Sequence, residues 1–186
     1  MKSSGGEIRC IREVLAYADK ANPWLKVYFD DVQFPDGRSG RYNRIVESDG
    51  RPGVAVLPIM GDQIGLVHQF RYPVGSYLWE IPRGFGDADD PERDARRELL
   101  EETGLTGGTM IALGRVHPNT GILASAVSLY AAVIAGNTTG GGPQDGEIAE
   151  FRWFPREEVL AEVGDGSLTD AFTIAAVVRA QHRELL

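Results

Sequence analysis

A chain of 186 residues with 42% hydrophobic and 25% charged residues is long enough to bury a sizeable core, and one soluble globular domain is the default reading. A formal net charge of −8 argues against binding to nucleic-acid backbones, which need clustered cations, and no apolar run approaches the length of a membrane span. The single cysteine, Cys10, excludes an intramolecular disulfide; with no signal-like apolar segment, a reducing cytoplasm is the expected location.

In chain order, residues 1–6 read as a disordered tail, and residues 8–17 fit strand and helix equally. Residues 24–34 read as a strand stopped by the turn Pro35-Asp36-Gly37. Strands follow at 42–47, 54–60 and 64–71, the last two joined by a Gly61-Asp62 hairpin turn. Residues 77–81 lead into Trp79-Glu80-Ile81-Pro82-Arg83-Gly84-Phe85-Gly86 and an acidic loop, Asp87-Ala88-Asp89-Asp90. Pro91 suits the first position of a helix with Asp90 as its N-cap, and Gly104 ends that helix after Thr103. Further strands are expected at 109–116, 126–134 and 148–154, with Gly140-Gly141-Gly142 as a loop between the last two. Helices are expected at 157–163 and 170–184, the second capped by Thr169 and carrying Phe172, Ala175, Ala176 and Val178 into the core. Mixed strands with a few helices predict an α+β fold with a sheet sandwiched between helices. Residues 1–22 form a tail and candidate first strand, and 23–186 the main domain.

The chemistry concentrates in Arg97-Glu98-Leu99-Leu100-Glu101-Glu102-Thr103-Gly104-Leu105. Positions three and four apart share a helical face, so Glu98, Glu101 and Glu102 project together. Like charges at that spacing cost about 0.2–0.5 kcal/mol per pair. A hard divalent cation such as Mg²⁺ turns the repulsion into coordination, because its ligands are oxygens. The alternative is a solvated acidic face softened by Arg93, Arg96 and Arg97. The surrounding order is strand, glycine loop, acid-rich helix and glycine stop. It resembles the signature of the Nudix hydrolases, whose second half reads Arg-Glu-aliphatic-x-Glu-Glu-x-Gly-aliphatic. Arg97, Glu98, Leu99, Glu101, Glu102, Gly104 and Leu105 match it at every specified position. The first half departs: Gly84 stands one residue too close to Arg97, and Asp89 occupies the place of the outlying glutamate.

The resemblance extends from about Pro23 onward. Gln69-Phe70-Arg71-Tyr72-Pro73, the approach Trp79-Glu80-Ile81-Pro82, Pro35-Asp36-Gly37 and Asp165-Gly166-Ser167-Leu168-Thr169-Asp170-Ala171 look like the ADP-ribose and ADP-sugar pyrophosphatase branch. His117-Pro118-Asn119-Thr120-Gly121 is not that branch's usual Ser-Pro-Gly sequence, and Arg83 stands where those enzymes often carry alanine. The resemblance implies a sheet between helices and a Mg²⁺ cofactor, with Mn²⁺ as an alternative ion. Glu98 and Glu102 would hold the metal, Glu101 would add charge or a further ligand, and the backbone carbonyl of Arg83 would complete the set. Arg97 would orient a neighbouring carboxylate, or form only a helix ion pair with Glu101.

A general base is needed as well, and the resemblance implies one from the loop before the last strand, where Asp145, Glu147 and Glu150 stand; Glu147 is the first choice of the three, with a solvated loop acid as its more ordinary reading. Arg71 and Glu80 either hold the nucleotide or pair across neighbouring strands; Arg83 either reaches a phosphate or lies in solvent. Trp24, Tyr72 and Trp79 either stack on adenine or pack, and His68, His117 and His182 lack metal spacing. The expected activity is cleavage of a nucleoside diphosphate derivative, ADP-ribose or an ADP-sugar first, giving AMP and a sugar phosphate. Dinucleotides, nucleoside triphosphates and a non-catalytic nucleotide sensor on the same fold are the alternatives. A homodimer through residues 23–34 is expected from the same resemblance, with no nucleic-acid or membrane partner.

Overall fold

The computed structural model describes residues 6–86, 90–136, 142–143 and 146–186. The chain divides into two compact units, residues 1–51 with 119–125, and residues 52–118 with 126–186. In the first unit, the segment that fitted helix and strand equally is two short strands, β1 (Arg9–Arg12) and β2 (Leu15–Asp19). They break apart at Val14, whose N–H donates to Asp30 Oδ1 at 3.1 Å. Both pair along one edge of the long strand β3 (Asn22–Gln33), and β4 (Ser39–Glu47) pairs along the other. Between β3 and β4 the Gly37 N–H donates to the Phe34 carbonyl at 2.9 Å, which closes the Pro35-Asp36-Gly37 turn. Residues 119–125 join this sheet through Ile45, and Ser125 Oγ donates to Glu47 Oε2 at 2.8 Å. Val32 is the one described apolar side chain of this unit that is fully buried; Ile11, Leu15, Tyr17, Trp24, Phe29 and Tyr42 are exposed.

The second unit is built on β5 (Gly53–Met60), which reads Gly-Val-Ala-Val-Leu-Pro-Ile-Met. A near-continuous apolar run of that length suits a strand covered on both faces. The Gly61-Asp62 turn carries the chain into β6 (Gln63–Arg71), followed by β7 (Ser76–Glu80) and β8 (Arg83–Phe85). Helix α1 (Pro91–Thr103) leads to β9 (Thr109–Val116), β10 (Val127–Val133) and β11 (Ile148–Pro155), and then to α2 (Arg156–Asp165) and α3 (Ala171–His182). The strand order is β11-β6-β5-β10-β9, with β5 and β10 parallel. β5 and β6 pair only beside their turn, and β7 on β6 with β8 on β5 line the opening between them.

Alternation along β5 divides the core. Ala55, Leu57 and Ile59 face Val159, Leu168, Ala176, Val177 and Ala180 of the α2–α3 layer. Val54 and Val56 face Ala95, Leu99 and Leu105 of the α1 layer. This is the expected α/β/α sandwich, with a separate four-stranded sheet that the sequence did not reveal. Two details of α3 are corrected. Its N-cap is Asp170, whose carboxylate accepts from Thr173 N at 2.8 Å, in place of Thr169. Its buried row is Thr173, Ala176, Val177 and Ala180; the helical period puts Val178 on the outside. Among the described residues no helix is long and apolar enough to cross a membrane.

Candidate active site

Helix α1 begins and ends where its sequence dictates. Asp90 accepts from Arg93 N at 3.1 Å, Pro91 occupies the first turn, and Gly104 takes the left-handed conformation at φ 70° that ends the helix. One row of this helix, Asp94, Glu98 and Glu102, is buried against β8. The segment around Gly84, expected as a loop, is a short strand, because its extended backbone pairs with Val54 and its neighbours on β5. Gly84 lets Glu98 lie where it does: a Cβ would stand 2.1 Å from Glu98 Oε1. Gly86 repeats the arrangement, with a Cβ position 2.2 Å from Asp94 Oδ2. Asp94 was missed by the sequence reading, although its place one turn before Glu98 was a visible signal.

Glu102 accepts from the Arg83 backbone N–H at 3.3 Å. Burial, and next the charge of Glu98, push its carboxyl up to about 8. Glu101 is held apart from this pair. Its carboxylate is 45% exposed and takes Arg97 Nη1 at 2.7 Å, while Arg97 Nη2 donates to Glu98 Oε1 at 2.7 Å and to the Phe85 carbonyl at 2.9 Å. Arg97 therefore joins the exposed and buried acids and ties both to β8. Among the described residues no three acidic, histidine or cysteine side chains converge as a ready-made metal cluster. The buried pair nevertheless fits a hard divalent cation. Its donors are all oxygens, and a cation there would offset the burial and the charge of Glu98 that together hold Glu102 protonated.

Beside the pair sits Glu80, fully buried at the end of β7. Arg83 Nη2 donates to Glu80 Oε2 at 3.0 Å, and Arg71 Nη2 lies 2.5 Å from Oε1 in an ion pair not aligned as a hydrogen bond. The Arg83 guanidinium also stands 3.7 Å from Asp170 Oδ1 and 4.7 Å from the Phe172 ring centre. Arg71 and Arg83 thus lie side by side on one buried acid, each with a buried Nε that has no partner among the described residues. Thr173 Oγ1 accepts from Ile81 N at 2.9 Å and fastens the start of α3 to the same turn.

Glu147 is exposed just ahead of β11, where its Oε2 accepts from Gln69 Nε2 at 3.3 Å. Glu150 pairs with Arg152 at 2.7 Å. Asp89, Asp145 and the Gly140–Gly141 part of the glycine run lie outside the described residues. Trp79 is packed, stacked on His68 at 4.4 Å and edge-on to Phe154 at 4.8 Å. Tyr72 is 88% exposed, and Trp24 belongs to the other unit.

A family model described as NUDIX domain matches residues 49–172. The ADP-sugar pyrophosphatase of Mus musculus is 28% identical over 172 residues, covering 84% of this chain and 79% of that protein. The ADP-ribose pyrophosphatase of Mycobacterium tuberculosis is 32% identical over 155 residues, covering 80% of this chain and 72% of its own. In fold, the chain is similar to a crystal structure of an ADP compounds hydrolase, with a TM-score of 0.77 at 17% identity over 95% of this chain and 94% of that one.

Proposed function

The chain belongs to the NUDIX family, and on that premise we propose that it cleaves the pyrophosphate bond of a nucleoside diphosphate joined to a second moiety, ADP-ribose or an ADP-sugar first. Membership makes it a hydrolase acting on phosphoanhydride bonds. The observation that carries the reading is the pair of buried carboxylates, Glu98 and Glu102, pressed against a strand whose Gly84 leaves room for them. Such a pair is costly unless a cation or a proton compensates it. The names of the relatives supply the substrate class.

Glu98 and Glu102 would hold Mg²⁺, or Mn²⁺ in its place, with Glu101 adding charge or a further ligand and the Arg83 carbonyl completing the set. When bound, that ion neutralises phosphate oxygens and lowers the pKa of a bound water. Arg97 orients Glu98 through the 2.7 Å bond between them. Arg71 and Arg83, both on Glu80, present planar donors suited to phosphate oxygens. Glu147 is the proposed general base, taking a proton from the attacking water as the anhydride breaks. Water is consumed, and ADP-ribose gives AMP and ribose 5-phosphate.

The reading includes a homodimer through residues 23–34, supported by the exposure of Trp24 and Phe29 on β3. A monomeric mass in light scattering at micromolar concentration removes the dimer. The activity is tested by product release from a panel of ADP-ribose, ADP-sugars, GDP-mannose, dinucleotides and nucleoside triphosphates. AMP and ribose 5-phosphate are expected from ADP-ribose with Mg²⁺ and none with EDTA. No turnover of any panel member overturns the proposal.

A further inference from the structure

Gln69 is 5% exposed on β6, two residues before Arg71 and therefore on the same face of the strand. Its Nε2 donates to Glu147 Oε2 at 3.3 Å, across 78 positions of sequence, and among the described residues its buried Oε1 has no partner. A buried amide oxygen with no donor costs free energy that leucine or methionine would not incur at this site. A polar residue kept in such a place calls for a role outside packing. Glu147 is exposed, and a surface glutamate samples many rotamers unless something rigid holds it. Gln69 is rigid, because its strand is paired with β11 on one edge and β7 on the other.

We infer that Gln69 is the positioning residue for Glu147, holding that carboxylate in the orientation a general base needs. The inference rests on the reading of Glu147 as the base. A carboxamide suits the task because it can serve both protonation states. Nε2–H donates to the carboxylate before the reaction. Once Glu147 has taken the proton from water, its new O–H can donate to Gln69 Oε1 after the amide turns over. Arginine or lysine in the same place could only donate, and would offer no acceptor to the new O–H.

The test is a set of kcat and KM measurements, taken on the full chain with Mg²⁺ and the best substrate of the panel. The variants are Gln69→Met, Glu147→Gln and the two together. Gln69→Met is expected to lower kcat about tenfold with KM within about twofold. Glu147→Gln is expected to lower kcat by about 10²–10⁴-fold. In the Glu147→Gln background, Gln69→Met should change kcat by less than about twofold, since the group it positions is gone. Gln69→Leu replaces Gln69→Met if thermal unfolding shows the latter misfolded. A Gln69→Met enzyme with unaltered kcat beside a slow Glu147→Gln overturns the positioning role and leaves the base in place. An equal effect of Gln69→Met in both backgrounds overturns it too. Full activity in Glu147→Gln instead removes the base itself.

Discussion

The inner and outer rows of α1 both carry glutamates, and these meet opposite fates. On the outside, Glu92 takes Arg96 at 2.8 Å and Glu101 takes Arg97 at 2.7 Å, each one helical turn apart and about half exposed. On the inside, Glu98 and Glu102 are also one turn apart, but both are acids and both are buried. The outer row is an ordinary ion-paired surface. The inner row is a charge problem for the folded chain, since burial and mutual repulsion lift Glu102 to about 8. Acid content alone therefore does not mark the site. The mark is acid that the strand opposite has made room for, through glycine, without supplying a full set of counter-charges.

The comparison breaks first at Glu102. Glu102→Gln keeps the shape and removes the charge, so the expected loss of kcat is about 10³-fold or more if this carboxylate holds a catalytic metal. Wild-type turnover in that variant would make the inner row merely structural. Gly84→Ala comes next. The added methyl would lie 2.1 Å from Glu98 Oε1, the far end of a flexible side chain that Arg97 holds by a 2.7 Å bond. The side chain can swing away, so the melting temperature should fall by only a few degrees. Activity should fall about 10²-fold, because the carboxylate no longer sits where it is needed. A variant that melts far lower yet keeps its kcat would show Gly84 serving packing alone.

The contrast between the rows was partly legible in the sequence. Asp90, Pro91 and Gly104 set the helix ends through local chemistry, and the period of α1 placed Glu98 and Glu102 on one face. What periodicity does not report is which side of that face is buried. Glu101 falls only one residue from Glu102, yet it is 45% exposed at its side chain while Glu102 is buried. β8 was read as loop because its strand character comes from pairing with β5, some thirty residues earlier, and not from its own glycine-rich residues. Asp94 looked like a helix-start acid, and only the close approach of Gly86 shows that it belongs to the buried row. Asp170 and Thr169 are both good caps by type; Thr173 selects the aspartate by donating both its N–H and its hydroxyl to it. The split of residues 1–51 from the rest left no trace in composition, since a sheet with so little buried apolar surface still alternates as a strand should.

A smaller effect sharpens the comparison without any substrate. Glu102 holds its proton more tightly in the folded chain, with a pKa of about 8 against an ordinary 4.5. A raised carboxyl stabilises the fold fully below the unfolded value, and that contribution is lost as pH climbs through the folded one. The metal-free protein should therefore lose stability between about pH 4.5 and 8, by up to ~1.4 kcal/mol per pH unit from this group. Thermal melts in EDTA should show the decline. Saturating Mg²⁺ should flatten it at the alkaline end, and Glu102→Gln should abolish it. A metal-free melting temperature that does not fall over this window, or that falls equally in Glu102→Gln, contradicts the buried-pair account.

The smallest expected effects lie in the outer row, where the two glutamates should differ from each other. Glu92→Gln removes a surface pair whose partners are 43% and 49% exposed, worth a few tenths of a kcal/mol, and should leave kcat within about twofold of wild type. Glu101→Gln also removes a surface pair, but its partner Arg97 reaches on to Glu98 and to the Phe85 carbonyl. Those two bonds remain in the variant, so Arg97 should stay near its place and kcat should fall about three- to tenfold through looser orientation of Glu98. The measurement separates two roles for Glu101. A loss near that of Glu102→Gln, accompanied by weaker Mg²⁺ activation, makes Glu101 a direct metal ligand that turns inward when the ion binds. A loss no larger than that of Glu92→Gln returns it to the solvated face, and the line between the rows then runs between two adjacent residues of one helix.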